Sequence, residues 1–182
     1  MKTGIILYGP PASGKDTITA CLTDHDPRLV PFARLKIGEG RSQGYRMGTP
    51  EQLRQLEAAG DVVYRNDRYQ SVYLVDRPGL DAAFAEDHVP IVHLGQIAGI
   101  TALATGYPAA WLAVQLDCPR EVTAQRSTGR GDTDTPARLA AWDATAADLQ
   151  EHHATWDLHL RTDQVSAAEA AAEIIKVLAS LR

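Results

Sequence analysis

A chain of 182 residues, 45% of them hydrophobic and 23% charged, can build one domain with a sizeable core and needs no disulfide or metal staple. Cys21 and Cys118 lie far apart with no CxxC or Cys/His spacing, which excludes a zinc-ribbon or disulfide scaffold. A formal net charge of -5 argues against a general nucleic-acid binder, and no segment reaches membrane-spanning length, so a cytoplasmic protein is expected.

The first expected element is a buried strand over 3–8, where Gly4-Ile5-Ile6-Leu7-Tyr8 is continuously apolar, and a helix is expected from Asp16 to Leu22. Between them runs Gly9-Pro10-Pro11-Ala12-Ser13-Gly14-Lys15-Asp16, a GxxxxGK sequence in the strand-to-helix context that a phosphate-binding loop requires. Glycines let backbone amides turn inward around a phosphate, and the following helix presents its positive end there. Lys15 would reach the β- and γ-phosphates of a nucleoside triphosphate, with Thr17 completing the loop's polar groups. Asp16 stands where this loop usually carries Ser or Thr to ligate Mg²⁺. Its carboxylate either holds that cation, directly or through water, or caps the helix while Thr17 supplies the hydroxyl.

Further strands are expected at 28–33, 61–64, 71–75, 89–94, 111–116 and 156–160, several of them apolar runs suited to a parallel sheet covered on both faces. Thr49-Pro50-Glu51-Gln52 opens one intervening helix, Asp117 to Glu121 another, and Thr135-Pro136 a long third. Ser166 and Glu169 form a capping box for an alanine-rich final helix. Two stretches break the alternation and read as mobile surface segments: the glycine-rich 34–48 and the polar 127–135. One domain follows, with a core of 1–33, 76–126 and 136–182, a substrate flap at 34–75 and a lid at 127–135. Arg126, Arg130 and Arg138 are spaced cations around that lid, suited to closing over reacting phosphates.

Other polar residues carry less. His152 and His153 read as surface residues, and Trp111, Trp142 and Trp156 as packing residues. His93 is either a buried strand residue, the reading its apolar strand favours, or part of the site wall. Arg65, Asp67 and Arg68 are either a solvated turn or acceptor ligands.

The GPPASGKD loop, the QRSTGRG segment followed by Ala137-Arg138-Leu139, and Trp156-Asp157 through Thr162-Asp163 resemble, in that order, the guanylate-kinase-like branch of P-loop kinases. The resemblance implies an α/β parallel-sheet P-loop kinase core with helices on both faces, an acceptor-binding flap and a lid. It implies ATP as donor, Mg²⁺, and a small-molecule acceptor that already carries a phosphate. Arg34, Lys36 and Tyr45 fall where the branch grips the acceptor phosphate, and Tyr73 falls near a further tyrosine. Tyr64 stands in place of the glutamate that reads guanine, and His93-Leu94-Gly95-Gln96 in place of an acidic strand end. In its GKD loop and its glycine-containing strand end the chain is similar to ribose 1,5-bisphosphate phosphokinases, so the acceptor is a nucleoside monophosphate, a sugar phosphate or a specialised biosynthetic phosphate compound. A nucleotide-binding module that has lost turnover is the competing expectation, and a nucleotide-hydrolysing switch a third.

Overall fold

The computed structural model describes residues 2–68, 70–129 and 134–181. Strand β1 (Thr3–Tyr8) leads into helix α1 (Lys15–His25), followed by β2 (Leu29–Pro31), β3 (Arg34–Ile37), β4 (Tyr45–Met47), α2 (Pro50–Ala59), β5 (Val62–Arg68), β6 (Ser71–Asp76) and α3 (Arg77–Ala83). After a 3-10 turn at Ala85–Asp87 come β7 (Val89–Leu94), α4 (Ile97–Gly106), β8 (Ala110–Asp117), α5 (Arg120–Gly129), α6 (Thr135–Glu151), β9 (Leu158–Arg161) and α7 (Ala167–Ser180).

Five strands form a parallel sheet in the order β2-β7-β1-β8-β9. The unbroken apolar run of β1 is explained by its central place. Ile5 and Leu7 point to the face covered by Ile18 and Leu22 of α1 and Ile174 and Leu178 of α7. Ile6 and Tyr8 point to the opposite face, against Leu80 of α3 and Ile97, Ile100 and Leu103 of α4. With both faces covered, period-2 alternation has no polar side to display. Each such fully buried aliphatic side chain contributes about 1.5–3 kcal/mol. Helices expected from their caps form as read. Thr49 accepts from the Gln52 amide at 3.1 Å ahead of α2, and Ser166 and Glu169 close a reciprocal capping box on α7. Among the described residues, no helix is long and apolar enough to cross a membrane.

A second, four-stranded sheet in the order β4-β3-β6-β5 corrects the reading of 34–48 as an irregular surface segment. Leu35 and Ile37 pack there with Leu74, beneath Leu53 and Leu56 of α2. The strands are only four and three residues long and are joined through glycines at positive φ, Gly38, Gly40 and Gly44, which masked them in the sequence. Strand β5 also runs on through Arg65, Asp67 and Arg68, so these are not a turn. Arg46 ties this sheet to the core: it bonds the Ala33 carbonyl at 2.9 Å and pairs with Asp76, which is 2% exposed and caps α3. Of the expected lid, 127–129 continue α5 and α6 begins at Thr135; Arg130 lies outside the described residues.

Candidate active site

The phosphate loop starts at the carboxyl end of β1, the sheet's central strand, and ends in α1. A Cβ at Gly9 would lie 2.7 Å from the Leu116 carbonyl oxygen and 2.8 Å from Ser13 Oγ, so only glycine passes between β8 and the loop. Ala12 and Gly14 both take left-handed backbone, with φ of 60° and 93°. Gly14 is the N-cap of α1 and offers no side chain to the first turn, which leaves that turn's amides to an incoming anion. Lys15 folds back over the loop, its Nζ donating to the Gly9 carbonyl at 2.7 Å, the Pro10 carbonyl at 2.8 Å and Ser13 Oγ at 3.3 Å. Burial pushes its pKa down to about 8, with the Arg34 charge acting in the same direction against that of Asp16.

The loop separates two chambers. On one side Ala12, Gly14 and Thr17 face Val165, Ala167 and Ala170 across a cavity of about 510 Å³. Its wall is mostly apolar, and its size suits a nucleoside. Arg126 closes one side, donating from Nη1 to the Ala12 carbonyl at 3.1 Å and from Nη2 to the Thr162 carbonyl. Arg138 lines neither chamber; its Nε donates at 2.9 Å to Asp134, the residue ahead of α6.

On the other side Gly9, Pro11 and Lys15 face a chamber of about 180 Å³ lined also by Arg34, Tyr45, Asn66, Arg68, Tyr73 and Gln96. Three cations line it, and among the described residues no carboxylate does. Sheet register brings this set together: Arg34 pairs with Tyr45 across β3 and β4, while Lys36 pairs with Tyr73 across β3 and β6. The two tyrosine rings sit 5.3 Å apart, and the Arg34 guanidinium lies 5.8 Å from one and 5.3 Å from the other. Lys36, 3% exposed, is spent inside the sheet, donating to the Glu39 carbonyl at 2.6 Å and the Arg41 carbonyl at 2.9 Å. It shapes the turn after β3 and does not line the chamber.

Alternation along β5 sorts its charged residues. Asn66 and Arg68 face the chamber, while Arg65 turns outward to pair with Glu57 at 2.6 Å and Asp67 at 2.8 Å. Tyr64 packs across Gly99 of α4 and donates its hydroxyl to Gln96 Oε1 at 2.9 Å. Burial raises its pKa, so it stays a neutral donor. Asn66 and Gln96 escaped the sequence reading; the available signal was the Tyr64, Asn66, Arg68 alternation, legible only once the strand is known to reach Arg68.

An adjoining chamber of about 260 Å³ holds Asp16 with Lys15, Arg34, Arg41 and His93. Asp16 is 82% exposed, its Oδ1 lying 3.5 Å from His93 Nδ1. The other ring nitrogen, Nε2, bonds Thr19 Oγ1 at 2.7 Å, so His93 lines the site as well as belonging to the strand. Burial, helped by the charge of Lys15, lowers its pKa to about 4 and keeps the ring neutral at physiological pH. His152 and His153 are exposed. The tryptophans pack: Trp111 against Phe84, Trp156 against Tyr8, and Trp142 with its Nε1 on the Cys118 carbonyl at 2.7 Å.

No protein-family model and no curated protein matches the chain by sequence. Solved structures match it over nearly its whole length. Guanylate kinase from Anaplasma phagocytophilum is 15% identical with a TM-score of 0.67, the match covering 98% of this chain and 85% of that one. A sugar kinase from Janibacter sp. HTCC2649, 20% identical, has a TM-score of 0.57 over 97% of this chain and 96% of that one. Shikimate kinase from Acinetobacter baumannii, solved with shikimate, is 14% identical with a TM-score of 0.53 over 100% of this chain and 96% of that one. The chain shares its α/β fold with these three kinases.

Proposed function

We propose that the protein is an ATP-dependent small-molecule kinase that moves the γ-phosphoryl group onto an acceptor already carrying a phosphate. The observation that carries this reading is the smaller chamber: Lys15, Arg34 and Arg68 line a cavity directly across the phosphate loop from a nucleoside-sized one. Three cations around one small cavity suit an anionic acceptor. A phosphate monoester offsets them and brings its own anionic oxygen, so attack on the γ-phosphorus needs no general base.

In this reading the free amides at the start of α1 and the Lys15 ammonium hold the β- and γ-phosphates. Lys15 exchanges its carbonyl partners for phosphate oxygens, which favour the charged ammonium and raise its pKa again. Arg34, with Tyr45 and Tyr73, fixes the acceptor phosphate in line for displacement of ADP. Arg126 stands at the donor wall, and Arg130 and Arg138 are assigned to the lid that screens the developing charge. Among the described residues there is no group of three His, Cys, Asp or Glu side chains fit to hold a metal. Asp16 as one exposed carboxylate beside the phosphate loop suits Mg²⁺, which keeps several waters and takes its other ligands from nucleotide phosphates. The cation would neutralise charge on the nucleotide phosphates.

ADP release measured with ATP, Mg²⁺ and a panel of GMP, ribose 1,5-bisphosphate, shikimate and unphosphorylated sugars tests the proposal. Stimulation by a phosphate-bearing compound is expected. Stimulation by shikimate or an unphosphorylated sugar alone would overturn the acceptor class. ATP binding with no stimulation by any compound would leave a nucleotide-binding module.

A further inference from the structure

Helix α4 begins at the edge of the acceptor chamber, and its own sequence does not cap it. Gln96 holds the N-cap position, yet its side chain makes no capping bond. Glutamine is outside the residue types favoured there, because its longer side chain does not return easily to the first-turn amides. The cap comes from elsewhere in the chain. The Ile97 amide donates to Asp148 Oδ2 at 2.7 Å, from α6, 51 residues further on. The same oxygen accepts the Tyr8 hydroxyl at 3.0 Å. Asp148 is only 16% exposed, with His152 Nδ1 3.3 Å from its other oxygen. A largely buried carboxylate on a helix N-terminus gains a charge-assisted bond and the favourable end of the helix dipole.

Relieved of capping, the Gln96 side chain serves the chamber. Its Oε1 accepts the Tyr64 hydroxyl at 2.9 Å, and its Nε2 faces Asn66 Oδ1 at 3.5 Å. Gln96 and Asn66 both line the cavity. Beside Arg68 this part of the wall is made of neutral amides, which offer N–H donors and a carbonyl acceptor together. A hydroxyl group, itself donor and acceptor, meets that pair; a group recognised only by a carboxylate does not.

We propose that Asp148 is a positioning residue that caps α4 from across the fold and thereby holds Gln96 as the side chain that reads the neutral, hydroxyl-bearing part of the acceptor. The reading role of Gln96 rests on the kinase proposal; the capping by Asp148 does not. Because α6 also carries Arg138 in its first turn, one helix joins the acceptor turn to the start of the lid region.

Two measurements on the full chain test it. Amide hydrogen exchange needs no ligand: Asp148→Ala should speed exchange at Ile97 by about tenfold or more, while Asp148→Asn, which keeps an accepting oxygen, should restore most of the protection. Tyr8→Phe and Asp143→Asn, the latter removing a different acid of α6, should leave Ile97 protected. Steady-state kinetics with the panel compound that supports turnover form the second arm. Asp148→Ala should raise the acceptor KM about tenfold with kcat and the ATP KM little changed, Asp148→Asn should recover it, and Gln96→Ala should reproduce it without exposing Ile97.

Unchanged Ile97 protection in Asp148→Ala overturns the proposal whether or not any compound is turned over. Lost protection with ATP and acceptor KM rising together overturns the positioning role and leaves a structural cap. If no panel compound is turned over, the kinase reading and the reading role of Gln96 fall, and the exchange result alone decides the cap.

Discussion

The two chambers beside the phosphate loop, read as the donor and acceptor sides of the proposed kinase, are built in opposite ways. The phosphate loop is one contiguous stretch, Gly9 to Asp16, clamped by its own lysine through bonds to Gly9, Pro10 and Ser13. The acceptor chamber draws Arg34, Tyr45, Asn66, Arg68, Tyr73 and Gln96 from five separate elements or turns, and a distant Asp148 holds the last of them. A local site survives or fails with one motif. A dispersed site depends on the packing of every element that contributes to it, so it can change specificity without disturbing the donor half.

The two halves should therefore break differently. The largest effect is expected at the shared residue: Lys15→Ala should lower kcat by about 1,000-fold, since it removes the charge nearest the transferred group, with circular dichroism unchanged. Next is the joint between the halves. Arg46→Ala leaves the buried Asp76 carboxylate without its guanidinium and should cost about 3 kcal/mol, read as a lower urea midpoint, with residual ATP binding outlasting acceptor binding. Arg34→Ala should raise the acceptor KM about 100-fold and leave the ATP KM within a few-fold, and Arg34→Lys should recover only part of the loss. An equal loss for both substrates would erase the distinction between the chambers.

The smallest effect concerns His93, which lines the smaller chamber. His93 titrates near 4 in the folded chain against an ordinary 6.5, because burial opposes its charge. Between those values the unfolded chain binds a proton that the folded chain does not, so stability falls as pH drops through that window. In metal-free buffer, His93→Gln, which can still bond Thr19, should show a shallower loss of urea midpoint between pH 7 and pH 5 than the parent.

Much of the core was legible because its signals are local. The apolar run of β1, the Thr49 cap and the Ser166 capping box each occupy fewer than ten consecutive residues, and each formed as read. The small sheet was not legible. Arg34-Leu35-Lys36-Ile37 alternates, but for four residues only, with a lysine on its polar side and glycines straight after; its pairing with β6 supplies the order. Arg65 and Arg68 look alike in sequence, and pleating sends one to Glu57 and the other to the chamber. Lys36, an expected acceptor ligand by resemblance, is held instead by two backbone carbonyls of the turn that follows it.

By itself the sequence determined the phosphate loop and the alternating α/β core around it, because glycine placement, helix caps and continuous apolar runs act within a few residues of chain. Only the tertiary structure decided which polar side chains face the smaller chamber. That choice is made by strand register between β3, β4 and β6, by the pleat of β5, and by a carboxylate on α6 that caps α4 in place of Gln96. The register with β6 and the cap join residues tens of positions apart, which no local pattern encodes, and the alternation of β5 becomes readable only once the strand's extent is known.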